Sequence, residues 1–162
     1  MTNAIETRYL RRCIELATEA LEAGDQPFGS VLVAADGTVL AEDRNRTSSG
    51  DRTRHPEFEL ARWAAANMPP VDRAAATVFT SGEHCAMCAA AHGLVGLGRI
   101  VYATSSRQYR TWLAELGIPP SPVKGLSIQE VVPGLVVEGP VDELAAEIHE
   151  LHRSYYCRSM AS

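Results

Sequence analysis

Apolar residues recur at Leu10, Ile14, Ala17 and Leu21 with polar residues between them and Gly24 beyond. That spacing predicts an amphipathic helix of about five turns, one face of which covers a sheet. The breaker cluster Gly24-Asp25-Gln26-Pro27-Phe28-Gly29 follows, and then two β-rich runs, Ser30 to Ala34 and Thr38 to Ala41, flank Asp36-Gly37. This is a hairpin signal and the start of a sheet. Asn45 to Arg54 is polar and reads as a loop that delivers the chain to His55-Pro56-Glu57, at the head of an alanine-rich helix ending before Pro69-Pro70. Ala76 to Thr80 reads as a short buried strand, Ser81-Gly82-Glu83 as a turn, Cys85 to Val95 as a helix closed by Gly96 and Gly98, and Ile100 to Ala103 as a further strand. Strand, helix, strand in that order favours parallel pairing through a right-handed crossover.

Beyond it, Gln108 to Leu116 reads as helix, Ile118 to Pro122 as a proline-rich turn, Ser127 to Val132 and Leu135 to Val137 as weaker strands, and Asp142 to Tyr155 as a last helix. There are no internal repeats, no low-complexity tract and no linker, so residues 1–162 are expected to form a single domain. The fold class expected is α/β, a three-layer α/β/α arrangement around a mixed sheet of about five strands.

Composition narrows the function. A chain of 162 residues, 46% apolar, suits one compact domain with one core. No apolar run approaches the ~20 residues needed to cross a bilayer. The segment from Met1 to Arg12 carries Glu6 among its basic residues and lacks an apolar signal core, so a cytoplasmic location is expected. Without an export signal, the four cysteines are expected to be reduced, and the close pair Cys85/Cys88 suits a metal better than a disulfide. The net charge of -5 comes with a single lysine, Lys124, and scattered arginines. A nucleic-acid partner is thereby disfavoured, because phosphate binding usually concentrates positive charge on one face.

Catalytic zinc takes three protein ligands and keeps a fourth position for water, whereas structural zinc is closed by four. Cys85-Ala86-Met87-Cys88 offers two thiols, and His55-Pro56-Glu57 places a histidine two residues from a carboxylate. Alone, either element is weak. Both fall at a predicted first helical turn, where Pro56 suits an initial position and free N–H groups favour thiolates. His55, Cys85 and Cys88 then fill three metal positions, and Glu57 lies beside the water without being a ligand. Zinc lowers the pKa of that water, Glu57 takes its proton, and hydroxide attacks an amidine-like ring carbon; Glu57 returns the proton to the ring nitrogen and the departing amine.

H-x-E followed by C-x-x-C resembles the zinc nucleobase and nucleoside deaminases. The resemblance extends over nearly the whole chain through Pro27-Phe28-Gly29, Asn45, Thr80-Ser81-Gly82-Glu83 and Arg99-Ile100-Val101-Tyr102. It is closest to the bacterial guanine and cytosine deaminase group of the cytidine-deaminase-like superfamily, which also contains tRNA adenosine deaminases. The resemblance implies zinc as cofactor, Asn45 as a substrate ligand, Phe28 packed against the base and recognition beside the H-x-E motif, at Pro56. It also implies a homodimer in which the C-terminal helix, about 140–157, is exchanged or packed at the interface. Two positions depart from the family: His84 stands where proline commonly precedes the first cysteine, and Pro56 where alanine is common. Both alter the pocket wall.

Structural readings stand beside these. Cys85 and Cys88 also suit a helix start as small core residues, Glu57 suits the helix dipole, Asn45 suits a turn, and Phe28 suits the core. His84 reads either as lining the pocket or as an exposed helix cap, Glu83 either as the family's site glutamate or as a helix N-terminal charge. His92 reads as facing the zinc or as a satisfied core histidine. Trp112, Tyr155 and Tyr156 either cover a planar base or pack. The leading function is a deaminase of a free nucleobase, nucleoside or related heterocycle. A tRNA deaminase and a zinc-stabilised binding protein closed by His84 or His92 are the rivals.

Overall fold

The structure, a computed structural model, describes residues 3–161. Helix α1 (Ala4–Glu22) carries the expected stripe, and Leu10, Ile14, Ala17 and Leu21 are all buried. It lies on strand β1 (Gly29–Val33), which is buried at every position. The approach is so close that a Cβ on Gly29 would stand 2.4 Å from the Cys13 carbonyl oxygen and 2.5 Å from Leu16 Cβ, so glycine is required there. The hairpin turn closes where Asp36 Oδ1 accepts from the Thr38 N–H at 2.9 Å. Strand β2 (Val39–Arg44) returns antiparallel to β1 and runs three residues further than its β-rich core.

Strand β3 (Thr77–Gly82) pairs antiparallel with the other side of β1. Strands β4 (Ile100–Thr104) and β5 (Val137–Glu138) continue in parallel, giving the mixed five-stranded order β2-β1-β3-β4-β5. The period of two along the strands sorts the core into layers. Val31, Val33, Phe79, Val101 and Ala103 meet Tyr9, Leu10 and Ile14 of α1 and Leu144 and Ile148 of helix α7 (Asp142–Met160). Leu32 and Val78 point the other way, onto Leu60, Ala61 and Ala64 of helix α2 (Pro56–Asn67). On that same face Ala89 of helix α4 (Ala86–Val95) packs with Ile100 and Ile128. Each large aliphatic side chain so buried contributes about 1.5–3 kcal/mol. The three-layer α/β/α arrangement follows.

Ser81-Gly82, read from sequence as part of a turn, instead continues β3, where Gly82 pairs with Thr104; the larger differences lie in the second half. Ser127 to Val132 is not a strand: Ile128–Val131 forms a short helix, after helices α3 (Pro70–Ala75) and α5 (Ser106–Glu115) designated α6. Ser127 and Glu130 make a reciprocal capping box, with the Ser127 N–H donating to Glu130 Oε2 at 2.7 Å, and this local closure overrides the β-branched pair Val131-Val132. A second capping box, Ser105 with Gln108, starts α5 two residues earlier than the apolar pattern suggests. Among the described residues, no helix is long and apolar enough to cross a membrane.

Candidate metal centre

Two helix N-termini converge at one end of the sheet. His55 is the N-cap of α2 with Pro56 beginning the helix, and Cys85 is the N-cap of α4. Neither side chain caps its own helix, so both are free to turn toward a common point. Among the described residues, His55, Cys85 and Cys88 form the group able to hold a metal ion. His55 Nδ1 stands 3.6 Å from each sulfur, and the sulfurs are 3.6 Å apart. Bonds of ~2.3 Å to sulfur and ~2.0 Å to nitrogen in a tetrahedron require edges of about 3.6–3.8 Å, so the spacing fits.

Charge at the group is unevenly shared. The Cys85 thiol is drawn down to about 4 by its hydrogen bond with Cys88, against the opposing effect of burial, and His55 lowers it further. The same contact with Cys85, together with burial, pushes Cys88 well up, and Cys85 holds His55 above its ordinary range. Negative charge therefore collects on sulfur at a helix N-terminus, where it is stabilised.

Glu57, 6% exposed, stands beside this group. Ser30 Oγ and Thr80 Oγ1 both donate to its Oε1, at 3.0 and 2.9 Å. These hydroxyls come from β1 and β3 on the face that carries Leu32 and Val78, where an apolar alternation ends in polar residues. Burial raises the Glu57 pKa, with the charge on His55 and the Thr80 bond opposing it. Its carboxylate in turn helps to push Cys88 up. The sequence reading gives Ser30 no role and names Thr80 only within the Thr80-Ser81-Gly82-Glu83 run, although a polar side chain inside a buried strand is a visible signal.

The other expected site residues divide. Asn45 is 1% exposed, its N–H donates to the Phe28 carbonyl at 3.0 Å, and its Oδ1 is buried without a partner. Pro56 is buried beside Glu57. The Phe28 ring lies against Gly82, where a Cβ would come within 2.9 Å of it. Glu83 is committed elsewhere: its oxygens accept from the Ser106 N–H at 2.8 Å and the Ile128 N–H at 3.4 Å, at the starts of α5 and α6. His84 is not an exposed cap, being 1% exposed with its ring edge-on to His92 at 5.4 Å. His92 is a satisfied core histidine, its Nε2 2.7 Å from the Gly98 carbonyl oxygen. Trp112 stacks on His149 at 4.5 Å. A cleft of about 560 Å³ opens between α5 and α6, lined by Tyr102, Arg107 and Arg110 rather than by the metal group.

Residues 4–104 match the family model of the cytidine and deoxycytidylate deaminase zinc-binding region. This chain belongs to that family. Zinc is the cofactor that the family and the His55, Cys85 and Cys88 donor set indicate. Over 98 residues the chain is 31% identical to a probable cytosine deaminase of Schizosaccharomyces pombe, covering 60% of this chain and 59% of that one. Over 82 residues it is 38% identical to the guanine deaminase of Bacillus subtilis, with coverage of 49% and 52%. A tRNA-specific adenosine deaminase of Agrobacterium fabrum is 33% identical over 100 residues, with coverage of 61% and 65%. The chain thus spans between half and two thirds of these relatives. The structure of the guanine deaminase from Nitrosomonas europaea shares the fold, with a TM-score of 0.67 over 94% of this chain and 86% of that one at 18% identity.

Proposed function

We propose that this chain is a hydrolytic deaminase that converts a ring amino group of a nucleobase-like heterocycle, such as cytosine, guanine or a related ring, to oxo. The observation that carries the reading is a carboxylate pinned through one oxygen beside a three-donor metal group. His55, Cys85 and Cys88 would hold the zinc. Bound there, zinc supplies a Lewis acid that brings the pKa of a water toward neutrality.

The chain's own residues account for the remaining steps. Ser30 and Thr80 occupy Glu57 Oε1, which leaves Oε2 to take a proton from water and return it to the ring nitrogen and the leaving amine. Burial keeps that carboxyl basic enough to cycle. The new C–O bond takes its oxygen from water, the C–N bond breaks, and the nitrogen leaves as ammonia. Asn45 Oδ1, buried without a protein partner, is positioned to accept from the substrate, and Phe28 packs against its ring.

Ammonia release from a panel of free bases, nucleosides and pterins, parent against Glu57→Ala, tests this. Turnover should vanish in the variant; unchanged turnover overturns the assignment. A tRNA substrate is favoured by the Agrobacterium relative and opposed by the net charge of -5. Tight, salt-dependent binding of an anticodon stem-loop would establish that substrate instead.

A further inference from the structure

Besides Asn45 and His84, one more buried side chain, on α7, holds a polar atom with no hydrogen-bond partner. His152, on α7, is 1% exposed, and its Nδ1 is sealed from solvent with no hydrogen bond. Its ring is held by Phe28 at 4.8 Å and 58° and by Tyr109 at 4.8 Å and 54°. Hydroxyls lock this wall in place: Tyr109 and Tyr156 lie 2.8 Å apart, and Gln26 Nε2 donates to the Tyr156 hydroxyl at 2.7 Å. Three separate elements, the 24–29 turn, α5 and α7, are thereby tied together.

This wall belongs to the same site. Phe28 rests on Gly82, three residues before Cys85, and its carbonyl accepts from Asn45.

We propose that His152 is a specificity-determining residue of the base pocket, held by Phe28 and Tyr109 so that its imidazole hydrogen-bonds the edge of a bound planar nitrogen heterocycle. The inference rests on the base-deaminase reading for the class of ligand. Its physical ground is the unpaired nitrogen. If the ring served only to fill space, phenylalanine would fill it without the cost of an unsatisfied buried polar atom. A ligand edge supplies the missing partner. Burial, reinforced by the charge of His149, pushes the His152 pKa down to about 3, so at neutral pH the ring has one donor and one acceptor nitrogen. That combination suits an amide-like ring edge, which also presents one of each.

The test measures binding rather than turnover. Zinc-loaded Glu57→Gln protein is titrated calorimetrically with the panel of free bases, alone and combined with His152→Phe or His152→Asn, and each protein is also melted and assayed for zinc. His152→Met replaces the phenylalanine variant should the larger ring not fit. The apolar variant is expected to melt no lower and to keep its zinc, yet to bind the preferred base at least about tenfold more weakly. His152→Asn, which retains a polar nitrogen, should recover part of that affinity while melting lower. Parental affinity in the apolar variant, or equal affinities in the apolar and asparagine variants, overturns the proposal. So does a parent that binds no base of the panel. A chain that binds bases but releases no ammonia overturns the deaminase reading alone.

Discussion

The metal group and the aromatic wall around His152 are neighbours, but they are finished to different degrees. At the metal group each side chain has a protein partner: Glu57 has Ser30 and Thr80, His55 has the two sulfurs, and the sulfurs have each other and His55. At the wall, Asn45 Oδ1 and His152 Nδ1 are buried with none, as are both ring nitrogens of His84, which precedes Cys85 without belonging to the metal group. The metal group also lies wholly within residues 4–104, which match the family, whereas Tyr109, His152 and Tyr156 fall outside them. Reaction chemistry needs donors fixed before substrate arrives, since the barrier depends on preorganised charge. Recognition can leave polar atoms unpaired until the ligand pairs them.

Variants on the two sides should therefore fail differently. The largest effect belongs to the metal group itself. Cys88→Ser, or exhaustive chelation of the parent, is expected to lower ammonia release to background, with metal analysis showing zinc lost in parallel; chelation should be reversed by one equivalent of zinc per chain. A zinc-depleted protein with full activity would break the assignment of the ligands.

Glu57→Gln comes next. Loss of a positioned proton carrier typically costs about 10²–10⁴-fold, and here it should appear in kcat/KM with zinc content unchanged. Retained activity would move the proton shuttle to another residue. Thr80→Val is a finer cut on the same side. It removes one of two hydroxyls from a buried carboxylate, an interaction worth roughly 1.5–3 kcal/mol when the acceptor is charged. A fall in kcat of about tenfold or more is expected, with KM little altered. His152→Phe should do the reverse, weakening ligand binding while sparing the proton step. If Thr80→Val raises KM and His152→Phe lowers kcat, the division between the two sides is wrong.

The same division explains what could be read from the sequence. The stripe of α1, the Asp36-Gly37 hairpin and the placement of His55 and Cys85 at helix starts all depend on residues within a few positions of one another, so spacing reveals them. Glu83 was ambiguous because its partners, Ser106 and Ile128, are 23 and 45 residues away. His84 is ambiguous for a similar reason, since its burial depends on its place in the fold, where its ring meets that of His92, rather than on its sequence neighbours. The wall was the least legible part, since Gln26, Phe28, Tyr109, His152 and Tyr156 have no common period and meet only when α5 and α7 close on the 24–29 turn. Ser127 to Val132 shows a different failure: the Ser-x-x-Glu capping signal was present but was outweighed by β-branched residues.

The smallest effect tests whether the two regions are joined by electrostatics far from the site. Arg99, at the start of β4, pairs with Glu6 of α1 and, at 2.7 Å, with Glu138 of β5, so one guanidinium ties the family-matched part to the C-terminal strand. Its hydrogen bond holds the Glu6 carboxyl below its ordinary value. A carboxylate depressed in the folded state contributes stability above its unfolded pKa, near 4.3, and that contribution is lost as pH falls through the lower folded value. Glu6 is largely covered while Glu138 is 40% exposed, so solvent screens the network and keeps the pair's worth within roughly 0.5–1 kcal/mol. Glu6→Gln should therefore lower Tm by about 1–4 °C at pH 7 and by progressively less below about pH 4, until parent and variant melt together. A deficit that persisted in acid would show that Glu6 acts by packing on α1 rather than by its charge.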